Sequence, residues 1–425
     1  MILRDAMRSL RDGFSRSFFY WLTLFLTTLF IYLFFHIMMS DPETASLLTS
    51  KSDVIATAVT VAVIVICMIA ILFANDFFVK QKAKELAVRL VCGATAFQLA
   101  VYLLLQTLVL LVIAIPLGIF TGNALMPVLS RIISSLMGTS FEMSVTPDAN
   151  LMSFSIIGFS VFWILMLNLS FALRTGAGLM LNNSIMTQSA QAPVLRLRNV
   201  PDAVKNVILT AVWFVPLILF YTQGNGMFIF ASISIYALYQ LIPAVIVPWI
   251  RKINSGAMNN ANAQVYRGFV RYDMQLLRMN MILLIVSDVL LASALIIKQS
   301  QPVEVTLYLL SFFVMNVLLT LAIVFKYVTA AVGRVRYYEA LTQIGYTEKE
   351  CASILRSEVF LLFAWLGFSQ LLYLVNMVLA KGMSGAAKDY GVILLVLPCI
   401  VIVICAAVSA VYYQRSIFSN IRRER

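Results

Sequence analysis

The sequence predicts an all-α polytopic membrane protein with about ten transmembrane helices and with both termini in the cytosol. Three observations lead to this fold class: an apolar composition, a series of long apolar runs and a one-sided distribution of basic residues. Hydrophobic residues make up 61% of the 425 residues, charged residues make up 12%, and the mean hydropathy is +0.93. A soluble protein of this length cannot bury so much apolar surface, so the surroundings of the fold must be lipid.

Ten apolar runs are long enough to cross the hydrocarbon core of a bilayer as helices, which takes about 20 residues each. The fifth run is the shortest and contains Pro216. The predicted spans are residues 17–39, 54–76, 98–122, 151–173, 207–222, 227–249, 279–297, 305–325, 357–380 and 391–413.

The basic residues predict the orientation of these spans. With the N-terminus in the cytosol, 26 of the 31 Lys and Arg residues fall in cytosolic segments. Such an excess on the cytosolic side is the usual orientation signal of membrane proteins. The net charge of +12 is thereby explained by topology. A nucleic-acid partner is not expected, because the chain has no basic domain to bind one.

The predicted external loops are short, and the longest of them contains an amphipathic stretch, Ala124–Met137. Its spacing of apolar residues predicts a helix that lies on the outer membrane surface. Two roles stay open for it: a cap over the helix bundle, or a gate or lipid-facing entry element.

One short pattern occurs twice on the cytosolic side, 252 residues apart and each time just before a membrane span. In both copies a basic residue precedes a glycine by nine positions, Lys84 before Gly93 and Arg336 before Gly345. An internal repeat sets the architecture of a chain, so this one predicts a duplicated membrane unit that meets a cytosolic partner at two equivalent places.

Each glycine is followed thirteen positions later by a long polar residue inside the next apolar run, Gln106 in the first copy and Glu358 in the second. We expect the glycines to end short basic helices, and we expect Thr347 and Glu350 to form a capping box that starts the next helix. The alternative is an amphipathic interfacial helix of the kind that flanks many membrane spans.

Enzymatic and metal-binding motifs are missing from the sequence. The sequence contains no GxxxxGK[ST] run that could bind phosphates and no Cys/His cluster, and the predicted spans show no pair of carboxylates within the membrane. We therefore expect no catalytic residue and no metal site. Asp288 is an acidic residue inside a span. Two roles stay open for it: coupling to protons, or a helix-packing hydrogen bond with Ser287, Ser293 or a neighbouring span.

The run KELAVRLVCGAT of the first copy resembles the FtsX-like permease domain of ABC transporters. The second copy resembles it less closely, with Tyr346 in place of the small residue that follows the glycine. Glu358 matches a glutamate that such permeases often carry early in the next span, and Gln106 departs from it. The matching residues are Lys84, Glu85, Arg89, Gly93, Ala94 and Thr95 in the first copy and Arg336, Glu339, Leu341 and Gly345 in the second.

Two such units in a chain of ten spans are similar to the bacitracin-resistance (BceB-type) permeases. Those permeases carry a large extracellular domain between spans 7 and 8, whereas the loop here, near Lys298 to Glu304, is short. The resulting domain prediction places span 1 in residues 1–53, a first FtsX-like unit (spans 2–4) in 54–175, linking spans 5–7 in 176–304, and a second FtsX-like unit (spans 8–10) with a basic tail in 305–425.

The resemblance implies a permease subunit of the bacterial cell membrane that is not itself an enzyme. It implies a separate ABC ATPase, in two copies, which binds ATP and magnesium and drives export or membrane extraction of an amphipathic substrate such as an antimicrobial peptide or a lipid-linked molecule. A membrane sensor kinase is a further possible partner. An ion-coupled secondary transporter and a non-transporting FtsX-like regulator are the alternatives. The expected ATPase-coupling residues are Lys84, Glu85, Arg89, Gly93, Arg336, Glu339, Gly345 and Glu348.

Overall fold

A computed structural model provides the coordinates of the chain. Within the described part of the chain the protein is all-helical, with no strands, so the predicted fold class is confirmed. The described residues are 7–10, 14–40, 54–137, 141–174, 202–221, 227–256, 261–297, 302–332, 334–382 and 388–424.

Twelve α-helices of ten residues or more and one π-helical turn make up the described chain. The π-helical turn spans Ile242–Ile246 and accommodates Pro243 between two α-helices. The helices are α1 (Phe14–Ser40), α2 (Val54–Val91), α3 (Ala96–Met137), α4 (Pro147–Arg174), α5 (Asp202–Leu219), α6 (Met227–Leu241), α7 (Val247–Gly256), α8 (Ala261–Ile297), α9 (Pro302–Val332), α10 (Val335–Ile344), α11 (Glu348–Gly382) and α12 (Lys388–Glu424).

Nine stretches of the described helices are long and apolar enough to cross a membrane. The predicted fifth span corresponds to a shorter apolar helix, Val204–Leu219 within α5. The protein is therefore a multi-pass membrane protein, and its described residues contain nine candidate spans and one shorter apolar helix where ten spans were expected. The cytosolic position of both termini stays a prediction from the basic residues.

Two of the helices differ from the prediction because they continue beyond their membrane spans. The first basic segment is the end of α2 rather than a separate short helix. Residues 124–137 are the end of α3 rather than a helix lying on the outer surface, so that prediction is wrong. At a rise of about 1.5 Å per residue, α3 is about 63 Å long, roughly twice the thickness of a hydrocarbon core.

The chain divides into two compact units. Unit 1 comprises residues 1–185 and 297–318, and therefore contains α1–α4 and the first part of α9. Unit 2 comprises residues 186–296 and 319–425, and therefore contains α5–α8, the rest of α9 and α10–α12. A shift of 252 residues carries α1–α4 onto α8, onto α9 with α10, onto α11 and onto α12. The repeat thus extends to four helices per copy rather than three.

Helices α1 and α3 of unit 1 pack closely because α3 has glycines on the contact face. A Cβ atom at Gly122 would lie 2.6 Å from the ring of Tyr32, and one at Gly118 would lie 3.0 Å from Thr28. Small residues four positions apart let helix backbones approach closely in a membrane, where van der Waals packing replaces the hydrophobic effect. The Tyr32 hydroxyl then donates a hydrogen bond to Asn123 Oδ1 at 2.7 Å.

A ladder of buried polar side chains joins helices α1, α2, α3 and α4 of unit 1. Tyr20 on α1 donates to Asn75 on α2 at 2.9 Å, Asn75 donates to Asn168 on α4 at 2.7 Å, and Asn168 donates to Thr107 on α3 at 2.8 Å. Thr107 completes the ladder by donating to the Leu103 carbonyl at 2.9 Å. Because lipid offers no partner for a polar group, these paired side chains specify how the four helices pack.

In unit 2, α11 packs along α12, and the short helix α10 lies against both. Helices α5 and α6 form a second pair, which is tied to α11 by polar contacts. Ser234 on α6 lies 2.9 Å from the Tyr373 hydroxyl, and the Tyr221 hydroxyl, just after α5, donates to Asn376 Oδ1 at 3.0 Å. These contacts hold α11, the helix that carries Glu358, within its unit.

Candidate functional site

Two helix corners carry the residues that the sequence predicted for coupling. Gly93 has φ +97° and Gly345 has φ +112°, and they are the glycines with positive φ among the described residues. Glycine adopts this left-handed conformation without the steric cost that other residues incur, which is why it ends helices. Helix α2 ends at Val91 and helix α10 at Ile344, so the predicted helix ends are confirmed.

The same hydrogen bond closes both corners. The Ala94 N–H donates to the Arg89 carbonyl at 3.0 Å, and the Tyr346 N–H donates to the Leu341 carbonyl at 3.0 Å. Donors and acceptors of the two bonds are each 252 residues apart. This is the helix-ending pattern in which a residue beyond the glycine bonds back across the last turn.

A capping box follows each corner and starts the next helix. The Thr347 N–H donates to Glu350 Oε2 at 2.8 Å, and the Glu350 N–H donates to Thr347 Oγ1 at 3.3 Å, as predicted. The first copy has an equivalent box that the sequence analysis missed. There the Thr95 N–H donates to Gln98 Oε1 at 3.0 Å, and the Gln98 N–H donates to Thr95 Oγ1 at 3.3 Å.

Glu85 is the centre of a polar cluster at the first corner. Its carboxylate accepts hydrogen bonds from Ser9 Oγ at 2.8 Å, from Lys82 Nζ at 3.1 Å and from the Tyr102 hydroxyl. The Arg89 guanidinium lies 4.0 Å from the centre of the Tyr102 ring. Burial raises the pKa of Glu85, but the hydrogen bonds from Tyr102 and Ser9 and the charge of Lys82 outweigh it, so the pKa lies below its usual range.

Ser9 links the N-terminal segment to this cluster. Its hydroxyl accepts hydrogen bonds from Lys82 Nζ at 2.8 Å and from Gln106 Nε2 at 3.2 Å while it donates to Glu85. The next residue, Leu10, is buried in the apolar core of unit 1. Gln106, predicted as an intramembrane polar residue, therefore reaches the first corner through a serine near the start of the chain.

Arg334 is the centre of a buried ion cluster at the second corner. Both of its Nη atoms donate to Asp273 on α8, and its Nη1 donates to Glu358 Oε1 on α11 at 2.6 Å. Glu358 also accepts from the Tyr327 hydroxyl at 3.1 Å and from the Tyr338 hydroxyl at 3.2 Å. All five side chains are buried. The cluster thereby joins α8, α9, α10 and α11 at one point.

Burial lowers the pKa of Arg334, but the charges of Asp273 and Glu358 outweigh burial and raise the pKa well above its ordinary value. The guanidinium therefore stays charged. Asp273 and Glu358 both lie on helices that are candidate membrane spans. The sequence analysis did not predict this carboxylate pair, because α8 brings Asp273 to Glu358 from 85 positions earlier in the sequence.

Lys82 and Arg334, which lie 252 residues apart, each make an ionic contact at their corner. The predicted residue Arg89 makes a further one, with its Nη2 atom 3.6 Å from Glu85 Oε1. The sequence analysis chose the basic residues two positions later, Lys84 and Arg336. The side chain of Lys84 lies outside the described residues, and Arg336 is exposed. Lys82 and Arg334 occupy the inward face of their segments, and a comparison of the two copies in register would have found them.

The remaining predicted coupling residues lie nearer the surface. Glu339 is half-buried and Glu348 is exposed. Exposed apolar side chains accompany them at each corner, outside the candidate spans where lipid would cover them. The side chains, with their exposed fractions, are Val88 (56%) and Val91 (68%) at the first corner and Tyr337 (64%) and Ile344 (77%) at the second.

Asp288 lies within α8 and is buried. Its carboxylate accepts a hydrogen bond from Gln370 Nε2 on α11, a neighbouring helix of unit 2. A shift of 252 residues carries Gly118 onto Gln370. Gly118 permits close helix packing in unit 1, whereas Gln370 at the equivalent position of unit 2 makes a polar contact.

In a comparison with protein families, residues 57–177 match the model of the FtsX-like permease C-terminal domain. The matched segment contains most of α2, all of α3 and α4 and the turn at Gly93. Together with the apolar helices, the match fits a multi-pass cell-membrane protein and supports a membrane permease of the ABC type. No curated protein matches the chain.

FtsX-like permeases are membrane components of transport systems and generally work with ABC ATPase partners. Within the described residues of this chain, no group of three or more His, Cys, Asp and Glu side chains is arranged to hold a metal ion. Each corner combines exposed apolar side chains at a helix end with polar side chains that connect the turn to the helices of its own unit.

Proposed function

We propose that this protein is the permease subunit of an ABC transporter and that two copies of a separate ATPase dock on its two corners. The observation that carries the proposal is the equivalence of the corners. They share the glycine conformation, the closing hydrogen bond and the capping box at a constant shift of 252 residues, and the first of them lies within the FtsX-like domain.

The exposed surface of each corner suits a protein partner. Val91 and Ile344 are exposed at the last turns of α2 and α10, next to charged side chains such as Arg336 and Glu348. Exposed apolar residues with a polar rim are typical of protein-binding sites. ATP and magnesium would bind to the partner, whose hydrolysis supplies the energy.

The buried clusters explain how a displacement at a corner reaches the membrane helices. A movement of the end of α2 is transmitted to α3 through Glu85 and Tyr102 and to the N-terminal segment through Ser9. A movement of α10 is transmitted to α8 and α11 through Arg334. Close-packed helices shift as bodies instead of absorbing such a displacement locally.

An amphipathic substrate, such as an antimicrobial peptide or a lipid-linked molecule, fits the membrane helices better than an ionic solute does. The polar side chains in the core of unit 1 are hydrogen-bonded to one another along the ladder from Tyr20 to Thr107, so they do not line an aqueous path. Helices α3 and α4 carry many exposed apolar side chains. Export or extraction would therefore take place along the lipid-facing surface.

A membrane sensor kinase is a further proposed partner, and the exposed basic residues Arg251 and Lys252 at the end of α7 are the surface we assign to it. Ion-coupled secondary transport has no comparable support. Its one candidate residue, Asp288, accepts a hydrogen bond from Gln370, which is a helix-packing contact.

The docking proposal is tested by changing the exposed apolar residue of each corner to aspartate in the full-length protein. Candidate ABC ATPases of the same cell are co-expressed with the permease, and the purified complexes are weighed by native mass spectrometry. We expect two ATPase copies on the wild type, one on Val91→Asp and one on Ile344→Asp, and none on the double variant. The matched control is Ile253→Asp, which changes an exposed isoleucine of α7 and should retain both copies.

A docked ATPase should also hydrolyse ATP faster with the wild-type permease in nanodiscs than with the double variant. If the corner variants bind as many ATPase copies as the wild type, the corners are not the docking sites. If ATPase copies bind at the corners but no substrate moves, the protein is a regulator driven by an ATPase rather than a transporter.

A further inference from the structure

The ion cluster at the second corner contains more carboxylates than its own arginine can balance. Asp273, Arg334 and Glu358 are 0%, 5% and 0% exposed. Two carboxylates and one guanidinium leave one negative charge in a site without water access if both carboxylates are ionised. A buried charge without a partner is very costly, so such a group takes up a proton instead.

The contacts of Arg334 identify where the proton is. Its Nη1 donates to Asp273 Oδ2 at 3.1 Å and to Glu358 Oε1 at 2.6 Å, so the two carboxyl groups share one guanidinium nitrogen. Both Nη atoms of Arg334 donate hydrogen bonds to Asp273, one to each carboxylate oxygen. This bidentate geometry is that of a guanidinium with an ionised carboxylate. Glu358 is therefore the protonated member.

The first copy of the repeat supports the same assignment. Gln106 occupies the position of Glu358, and Lys82 occupies the position of Arg334. A glutamine side chain has the size and shape of a protonated glutamic acid and carries no charge. At the first corner this neutral side chain meets the basic residue through Ser9, to which both Gln106 and Lys82 donate.

The other titratable groups around Glu358 come from every helix that packs against it. Tyr327 of α9 and Tyr338 of α10 donate to Glu358, and the ring of Tyr413 on α12 packs edge-on against both of these tyrosines. On α8, Tyr272 lies with its ring centre 5.3 Å from the Arg334 guanidinium. All of these phenols are neutral at physiological pH, so none of them offsets the second carboxylate.

Lys326, next to Tyr327 on α9, is another buried cation, and Arg278 on α8 is a third. Lys326 donates to Asn280 Oδ1 at 3.1 Å, and Arg278 Nη2 donates to the Tyr239 hydroxyl at 3.0 Å. Asn280 lies two turns of α8 from Asp273, a distance of about 10 Å along the helix axis.

We propose that Asp273, Arg334 and Glu358 form a proton-binding site, in which the proton on Glu358 keeps α10 attached to α8 and α11. At alkaline pH the proton leaves Glu358 for the solvent, and the cluster then holds two carboxylates against one guanidinium. The repulsion between them weakens the attachment of the second corner. The site and its test are independent of any ATPase.

Two substitutions of equal size distinguish the protonated carboxyl from the ionised one. Glu358→Gln replaces a neutral group by a neutral group, so the melting temperature at neutral pH should change by less than about 2 °C, the scale of a conservative change. Asp273→Asn leaves the guanidinium of Arg334 without its ionised partner, so the melting temperature should fall by at least about 5 °C. The reverse order of the two effects overturns the proposal, as does an equal loss in both, which is the result expected if Lys326 is the counter-charge of Glu358.

The pH dependence provides a second readout from the same proteins. The melting temperature of the wild type should decrease from neutral to alkaline buffer more steeply than that of Glu358→Gln, which has no proton to lose. Identical slopes contradict the proposal.

Infrared spectroscopy of the full-length protein in nanodiscs detects the proton directly. It requires the wild type and two variants, Glu358→Gln and Asp288→Asn. The wild type at neutral pH should show the C=O stretching band of a protonated, buried carboxylic acid. Glu358→Gln should lack this band, and Asp288→Asn, the control at the other buried acid on α8, should retain it. A wild type without the band, or a band that persists in Glu358→Gln, overturns the proposal.

Discussion

The close contact of Gly122 on α3 with Tyr32 on α1 predicts that adding a methyl group at position 122 lowers the stability of the protein. In Gly122→Ala the added methyl group would lie 2.6 Å from Tyr32 Cδ1, which is closer than Cβ contacts are found. The ring has no room to withdraw. It is 1% exposed, its hydroxyl is hydrogen-bonded to Asn123 at 2.7 Å, and its centre is 4.1 Å from that of the His36 ring.

The expected cost follows from two opposing effects. Overpacking a tightly packed contact costs about 1–3 kcal/mol. Alanine is favoured over glycine inside a helix by about 0.5–1 kcal/mol, which offsets part of that cost. The free energy of unfolding should therefore fall by about 1–2 kcal/mol in Gly122→Ala. Gly158→Ala on α4 is the matched control, because a Cβ atom there has no neighbour within 4 Å, and it should be as stable as the wild type or more stable.

The cysteines of the chain provide the assay. Cys67 and Cys351 are buried and free, so a thiol-reactive fluorescent dye labels them only as the protein unfolds, while the exposed Cys92 gives a constant background. Heating the purified variants with the dye gives their melting temperatures. A Gly122→Ala protein that melts with the Gly158→Ala control would refute the packing argument. A further check is the double variant with Tyr32→Ala, in which the added methyl group has space and should no longer destabilise.

Three further changes test the clusters and the caps. Glu85→Gln should lower stability at neutral pH but not in acid, because the pKa of Glu85 is depressed in the folded protein. The stability that Glu85 contributes is complete above its pKa in the unfolded chain and is lost as the pH falls through its pKa in the folded protein, so melting curves recorded at several pH values will show the difference. Asn168→Ala leaves Asn75 without its acceptor and Thr107 without its donor, and should cost about 1–3 kcal/mol in the same dye assay. Thr347→Ala removes an N-cap and should cost about 0.5–2 kcal/mol in the same dye assay. A melting curve that coincides with that of the wild type would show that the cap does not stabilise α11.

The parts of this fold that the sequence predicted are those set by neighbouring residues. The length of an apolar run decides whether a helix can span the bilayer, and among the described helices the run with Pro216 is the one that is shorter than a candidate span. The helix ends at Gly93 and Gly345 and the cap at Thr347 depend on a few adjacent residues, so the spacing was sufficient to predict them.

The parts that it did not predict depend on distant residues. Asp273 bonds to a side chain 61 positions away, and Ser9 bonds to one 97 positions away, so no local pattern contains either contact. The end of α3 was assigned to the membrane surface because the spacing of its apolar residues is that of an amphipathic helix. It continues as a helix because its buried side chains, such as Met126, pack against α1 beyond the apolar run.

The two corners show what a duplication retains and what it changes. Their backbones are equivalent because a left-handed glycine and a capping threonine allow one kind of turn. Their ionic side chains differ in burial, since Glu85 and Lys82 at the first corner are half-buried, whereas Asp273, Arg334 and Glu358 at the second are buried. Removing a partner from a buried ion pair costs about 3–5 kcal/mol, against about 1 kcal/mol or less for a pair that water reaches. The cluster around Arg334 therefore attaches its turn to the neighbouring helices more firmly than the cluster around Glu85 attaches the first turn.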